Sequence, residues 1–403
     1  MSVVKPDILS PIFMNQQSWR PFIMVSLALC IGTIGTALAS PLYPIYQQLW
    51  HLLPSHITYI FVAYMFGCLT TLLFLGRTSN SFGFIRTLQI GLLCAVIGLI
   101  MSVFSTNTYW LGLGRFIIGV ASGLISTSAM LGLISTIPDS HKMHAAQFSS
   151  IITVVGFGLG PFIGGTIAQF SSAPLVTPYI PVIIGATISL ISLFFIKAVQ
   201  FEKQPFKIAP HLELPEKQFK QLFFIVSFGA FSAFATFSIF ASLAPSFIRD
   251  IIPWHGPMVS GTTIASILLI SAVTQFIAKS FHIHKAFDRG LIVILISYMI
   301  LALCLTMHWS YLFFFSVIFA GIGHGLSLLS AFALVHQMTN PENRAAVIST
   351  YLFIGYLGTI VPIIFAGYLS DHFGLITGVL GFCIGVGLLC LYLLFQHRRL
   401  QNS

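Results

Sequence analysis

The stretch GFGLGPFIGGTIAQF, Gly156 to Phe170, sets five glycines and a proline within its first ten residues. In water that density reads as a loop, yet the run from Ile151 to Ile167 is almost wholly apolar. Helix breakers inside a hydrophobic run make sense where lipid is the solvent. Apolar side chains gain little there by meeting one another, so helices associate through close packing, and glycine lets two backbones approach. Gly156, Gly160 and Gly164 recur every four residues and share one side of a helix. Pro161 removes a backbone donor and bends that helix. Two readings follow. One is plain helix packing. The other is a gating seam, with Gly165 beside it, against which a helix of another bundle slides or seals.

Composition points to the same solvent. Of 403 residues, 57% are hydrophobic and 7% charged, against about 25% charged in ordinary soluble chains. The six cysteines all lie inside apolar runs without metal-ligand spacing, and read as reduced packing residues. The net charge is +9, but the basic residues sit in short segments between apolar runs, which argues for a membrane protein's cytoplasmic side over nucleic acid. The first run, Pro21 to Tyr46, is too long for a signal-peptide core and reads as a span.

A helix needs about 20 apolar residues to cross the hydrocarbon core. Twelve candidates appear, near 21–46, 57–76, 87–105, 109–136, 146–170, 177–197, 221–248, 258–278, 290–307, 311–337, 346–368 and 375–395. With the N-terminus in the cytoplasm, sixteen of the 18 Lys and Arg fall on the inside; Arg249 falls outside and Arg115 within a span. That split predicts both termini cytoplasmic. HAAQFSS (144–150) matches RAAVIST (344–350) at an offset of 200, and aligning Pro44 with Pro245 gives 201. The expected fold is therefore an all-α membrane protein with 12 transmembrane helices in two pseudo-symmetric six-helix bundles. The bundles are residues 1–197 and 221–403, joined by a cytoplasmic linker at 198–220. Such repeats place a binding site at their interface near mid-membrane.

Several motifs resemble the major facilitator superfamily, over nearly the whole chain. GRTSNSFGFIR, after the second span, is similar to the family's G-x-x-x-D-R-x-G-R loop, with Gly76 and Gly83 at glycine positions. LGLGRFIIGVASG resembles its arginine motif, with Arg115 and Gly119 in place; GFGLGPFIGG resembles the motif of antiport and drug export; SPLYPIYQ resembles a Pro-Tyr segment of such exporters. The loop aspartate of the family is Asn80 here and the following arginine is Ser81. Asparagine can still accept a bond at a helix N-terminus but brings no charge, so the resemblance implies a weaker gate or one latched elsewhere. GYLSDHFG, Gly367 to Gly374, is a closer echo of that loop than anything else in the second half, but it falls on the opposite side and reads as chance.

All nine acidic residues lie outside the spans or at their edges. If protons drive transport, another group must titrate. Arg115 lies about six residues into its span, roughly 9 Å deep. It either faces a cavity or snorkels to the interface; Tyr43, backbone carbonyls or an anionic substrate would serve as partners. His324, within AGIGHGLSLL, either binds substrate or a proton or packs as a neutral ring against a neighbouring helix. Tyr43, Tyr46 and Tyr64 join a flat apolar ring to a polar tip and suit a pocket or its mouth. Phe224, Phe228, Phe231, Phe234 and Phe237 form one helical stripe, facing lipid or packing, or walling a cavity. No P-loop, zinc spacing or nucleophile elbow occurs, so the expectation is no enzyme, no cofactor and no metal. The reading is a monomeric inner-membrane secondary transporter working by alternating access. The resemblance implies proton-coupled efflux of small organic compounds or drugs. The alternative is a nutrient uptake permease or facilitator for a sugar, amino acid or nucleoside.

Overall fold

The computed structural model describes residues 18–138, 140–141, 145–196, 205, 208, 210, 212–340 and 342–402. Of the expected linker, 198–220, residues 198–204, 206, 207, 209 and 211 lie outside them. The described residues form helices and no strand. In the first half these are α1 (Arg20–Ala37), α2 (Tyr43–Leu49), α3 (Pro54–Thr70), α4 (Thr78–Phe82), α5 (Phe84–Val103), α6 (Thr108–Thr136), α7 (Ala145–Phe170) and α8 (Tyr179–Ser192). The second half holds α9 (Lys220–Ser242), α10 (Ala244–Ile251), α11 (Pro257–Ile277), α12 (Ile283–Met307), α13 (Ser310–Gln337), α14 (Arg344–Phe373) and α15 (Leu375–Asn402).

Eleven of the described helical segments are long and apolar enough to cross a membrane. The twelfth crossing is α8 with its 3-10 extension, Tyr179–Phe195, shorter than the 177–197 span read from the sequence and at the lower limit of length for a span. With twelve crossings, Arg20 and Asn402 come to the same end of the bundle, called here the near end. Local chemistry sets the breaks. Asn107 caps α6 by accepting a bond from Trp110 N at 3.0 Å. Gly83 separates α4 from α5 at φ +84°, a left-handed backbone that only glycine adopts freely.

The first crossing of each half breaks at matching places. α1 stops at Ala37, passes through the 3-10 turn Ser40–Leu42 with Pro41, and resumes as α2 with Pro44 in its first turn. α9 stops at Ser242 and resumes as α10 with Pro245 in its first turn. Proline at such a position has no N–H to lose. Pro161 inside α7 and Pro362 inside α14 repeat at the same offset as Pro44 and Pro245. Within the halves α5 packs on α6, α3 on α6, α12 on α13 and α9 on α14; between them α7 packs on α11 and α3 on α14.

Candidate functional site

A cavity of about 190 Å³ lies between the halves. The first half contributes Thr36, Ser40, Phe61, Tyr64, Arg115 and Phe157; the second contributes Phe234, Phe237, Leu268, His324, Tyr356 and Thr359. Arg115, from α6, is 1% exposed. Its Nη1 donates to the Thr36 carbonyl at 2.6 Å. That acceptor is available because α1 ends at Ala37, and the last carbonyls of a helix have no partner within it. The guanidinium carbon stands 4.9 Å from the centre of the Tyr64 ring, a cation–π contact, and Tyr64 Oη lies 3.2 Å from Ser122 Oγ. Arg115 Nε is buried and makes no hydrogen bond. A membrane arginine costs about 2.5–3.5 kcal/mol on insertion scales, and among the described residues no carboxylate stands on the cavity wall to offset it.

His324 faces Arg115's half from α13. It is 5% exposed, with Nδ1 2.8 Å from Ser271 Oγ. Gln275 Nε2 donates to the same hydroxyl at 3.2 Å, which leaves the Ser271 hydroxyl proton free to turn to Nδ1. The rings of Phe234 and Phe237 stand 6.4 and 6.3 Å from the imidazole, and Phe234 stacks on Tyr356 at 5.4 Å. The phenylalanine stripe thus divides along its length: Phe234 and Phe237 wall the cavity, while Phe224 and Phe228 are exposed.

Of the three tyrosines expected at a pocket, Tyr64 lines the cavity and the other two do not. Tyr43 and Tyr46 are fully buried, and Tyr46 Oη lies 3.2 Å from Tyr179 Oη within the first half. Tyr43 Oη is buried without a hydrogen-bond partner; both rings leave the cavity because α2 follows the break after α1. Gly76 lies at the end of the second crossing, where α3 has passed through one π turn, Thr71–Leu75. Asn80 is exposed.

The glycine face also needs correction. Gly156, Gly160 and Gly164 do not meet the other half. They pack on α1 of their own half, where a Cβ on Gly160 would stand 2.5 Å from the Ile34 carbonyl oxygen and one on Gly164 2.5 Å from that of Leu38. The face turned to the other half is the neighbouring one, carrying Gly158, Pro161 and Gly165. A Cβ on Gly165 would strike the Pro257 carbonyl, and one on Gly261 the Pro161 carbonyl, so α7 and α11 touch backbone to backbone. Gly367 makes the matching approach from α14 to Ser55 and Thr58 of α3.

Both seams lie at the far end of the bundle and each carries a side chain at the partner helix's N-terminus. Asp371 Oδ1 accepts from Ser55 N at 3.0 Å, and Gln169 Oε1 accepts from Met258 N at 3.5 Å. Gln47 Oε1 of α2 accepts from Ser246 Oγ of α10 at 2.8 Å. The halves are thus joined at the far end, and GYLSDHFG, read from sequence as a chance echo, supplies two parts of that join. A carboxylate is favoured at a helix N-terminus, where the backbone dipoles leave partial positive charge. Asp371→Ala is expected to weaken the far-end closure by about 1 kcal/mol, roughly fivefold in population. Labelling of a cysteine introduced at Ala37, from the far side, reads this directly.

The family model for the Major Facilitator Superfamily matches residues 25–361 and 283–402. Among curated proteins, the chain is 27% identical over 151 residues to "Multidrug resistance protein 2" of Bacillus subtilis, covering 37% of each. It is 24% identical over 191 residues to "Riboflavin transporter RibZ" of Clostridioides difficile, covering 47% of this chain and 40% of that one. These alignments span under half the length of the curated relatives matched. Among solved structures, a bacterial homologue of the human lysosomal transporter Spinster, inward-facing and occupied, superposes with TM-score 0.70 at 15% identity, over 94% of this chain and 96% of that one. The nucleoside transporter NupG gives 0.71 at 13%, over 94% and 99%. Repeated halves, a shared cavity and a family match across the helical core agree: this chain belongs to the major facilitator superfamily.

Proposed function

We propose that the chain is a secondary transporter, not an enzyme, that moves a small organic solute by alternating access around the cavity between its halves. The observation that carries this is the cavity itself: it is lined from both halves, holds one ionisable group from each, and is closed at the far end by two backbone-close seams. Helices that touch through glycine can part and re-form without repacking large side chains. The halves, 1–197 and 221–403, then rock as units about the linker at 198–220. The excess of Lys and Arg in near-end segments supports a cytoplasmic near end, with both termini, at the inner membrane.

Export is the favoured direction. It rests on the likeness of α7 to the antiport motif and on relatives named for multidrug and tetracycline resistance. A proton gradient is the proposed drive, and His324 is the titratable group on the cavity wall, since no carboxylate lies there. Everted membrane vesicles test it: acidifying the lumen should drive solute inward. Equilibration indifferent to the gradient would favour a facilitator. His324→Ala is expected to flatten the pH profile of flux. An unchanged profile returns His324 to packing.

A further inference from the structure

Resting on that reading of the cavity as the transport site, we infer that its solute is an organic anion built on a single aromatic ring, its acid group taken by Arg115. The charge of Arg115 is unanswered. One nitrogen donates to a neutral carbonyl, the cation lies against the Tyr64 ring, and Nε is buried without a partner. Neither a carbonyl nor a ring neutralises a charge. Among the described residues no carboxylate is on the same wall to do so. A bound carboxylate, sulfonate or phosphate supplies what is missing: an anion for the cation and acceptors for its unused N–H groups, in the fork geometry that a guanidinium presents.

The rest of the wall fits the other end of such a molecule. Phe61, Phe234, Phe237 and Tyr356 are flat and mostly apolar, and His324 offers a polar edge from the opposite half. A volume of about 190 Å³ is close to that of a cavity of roughly 150 Å³ that holds one benzene, which suits one ring. The same wall penalises a cation: it would enter a low-dielectric site that already holds a positive charge, with no carboxylate to meet it.

The test is direct binding of three isosteric probes, benzoate, benzyl alcohol and benzylammonium, to the purified full-length protein, by calorimetry and by thermal shift. Benzoate is expected to bind at least about tenfold more tightly than either of the others, a difference readily resolved in Kd. Arg115→Gln should erase the preference and Arg115→Lys should keep part of it. The inference is overturned if benzylammonium or benzyl alcohol matches benzoate, if the preference survives Arg115→Gln, or if neither benzoate nor benzenesulfonate binds. The wild-type comparison decides the matter alone should a variant fail to fold. Failure of the transport reading looks different: anions would bind through Arg115 yet no solute would cross the membrane of reconstituted vesicles. Vesicles that carry neutral or cationic solutes without anion preference would leave transport standing and remove the anion.

Discussion

Gly165→Leu is expected to bring flux to background while the protein still folds and inserts; Gly160→Leu, five residues earlier on the same helix, is expected to do the opposite. The difference lies in what each glycine touches. Gly160 faces the Ile34 carbonyl of α1, within its own half. A side chain there pushes two helices apart whichever way the halves are rocked, so the cost falls on the folded state and lowers thermal stability. Gly165 faces the Pro257 carbonyl of α11, across the halves. A side chain there clashes only when the far end is closed, so the cost falls on the balance between conformations. Overpacking of about 3 kcal/mol lowers the far-closed population by about a hundredfold relative to the far-open one. A transporter held in one conformation cannot cycle. Two measurements check this: flux in reconstituted vesicles, and labelling from the far side of a cysteine introduced at Ala37, which lines the cavity. Normal flux with Gly165→Leu would mean that this seam never opens.

That contrast also shows how far the sequence can be read. The number of crossings and the repeat were legible because each depends on local composition or on spacing along the chain. The partner of a glycine face is not local. α7 carries two small-residue faces, one through Gly156, Gly160 and Gly164, the other through Gly158, Pro161 and Gly165, and glycine reports a close approach without saying to what. Asp371 was hidden for the same reason. An acid at the end of a span looks like any solvated loop charge, and its bond to Ser55 N arises only when α14 of one half meets the start of α3 of the other. Tyr43 and Tyr46 sit one turn past a helix break, and the rotation introduced by that break decides whether a ring faces the cavity or its own half. After the 3-10 turn Ser40–Leu42 both rings are buried away from the cavity, Tyr46 against Tyr179.

Arg115→Ala is the second large effect expected, and its signature is loss of function without loss of fold. Removing a paired buried charge usually damages a protein, since the partner is left charged and alone. Arg115 has no charged partner to strand. Its removal leaves the Thr36 carbonyl without a donor, a cost of about 1–3 kcal/mol, and empties the space against the Tyr64 ring. Against that, it relieves the cost of holding an unanswered cation in the membrane, about 2.5–3.5 kcal/mol. The two are similar in size, so thermal stability and membrane insertion should stay near those of the unaltered protein while transport falls to the level of empty vesicles. Arg115→Lys separates charge from geometry. Lysine keeps the cation but presents a compact ammonium in place of a planar fork, so partial flux is expected. A residue that costs folding free energy, lacks a countercharge and faces a cavity open to solute is better explained by what it binds than by what it holds together. Full flux in Arg115→Ala would contradict that account, and marked unfolding would assign Arg115 to the scaffold instead.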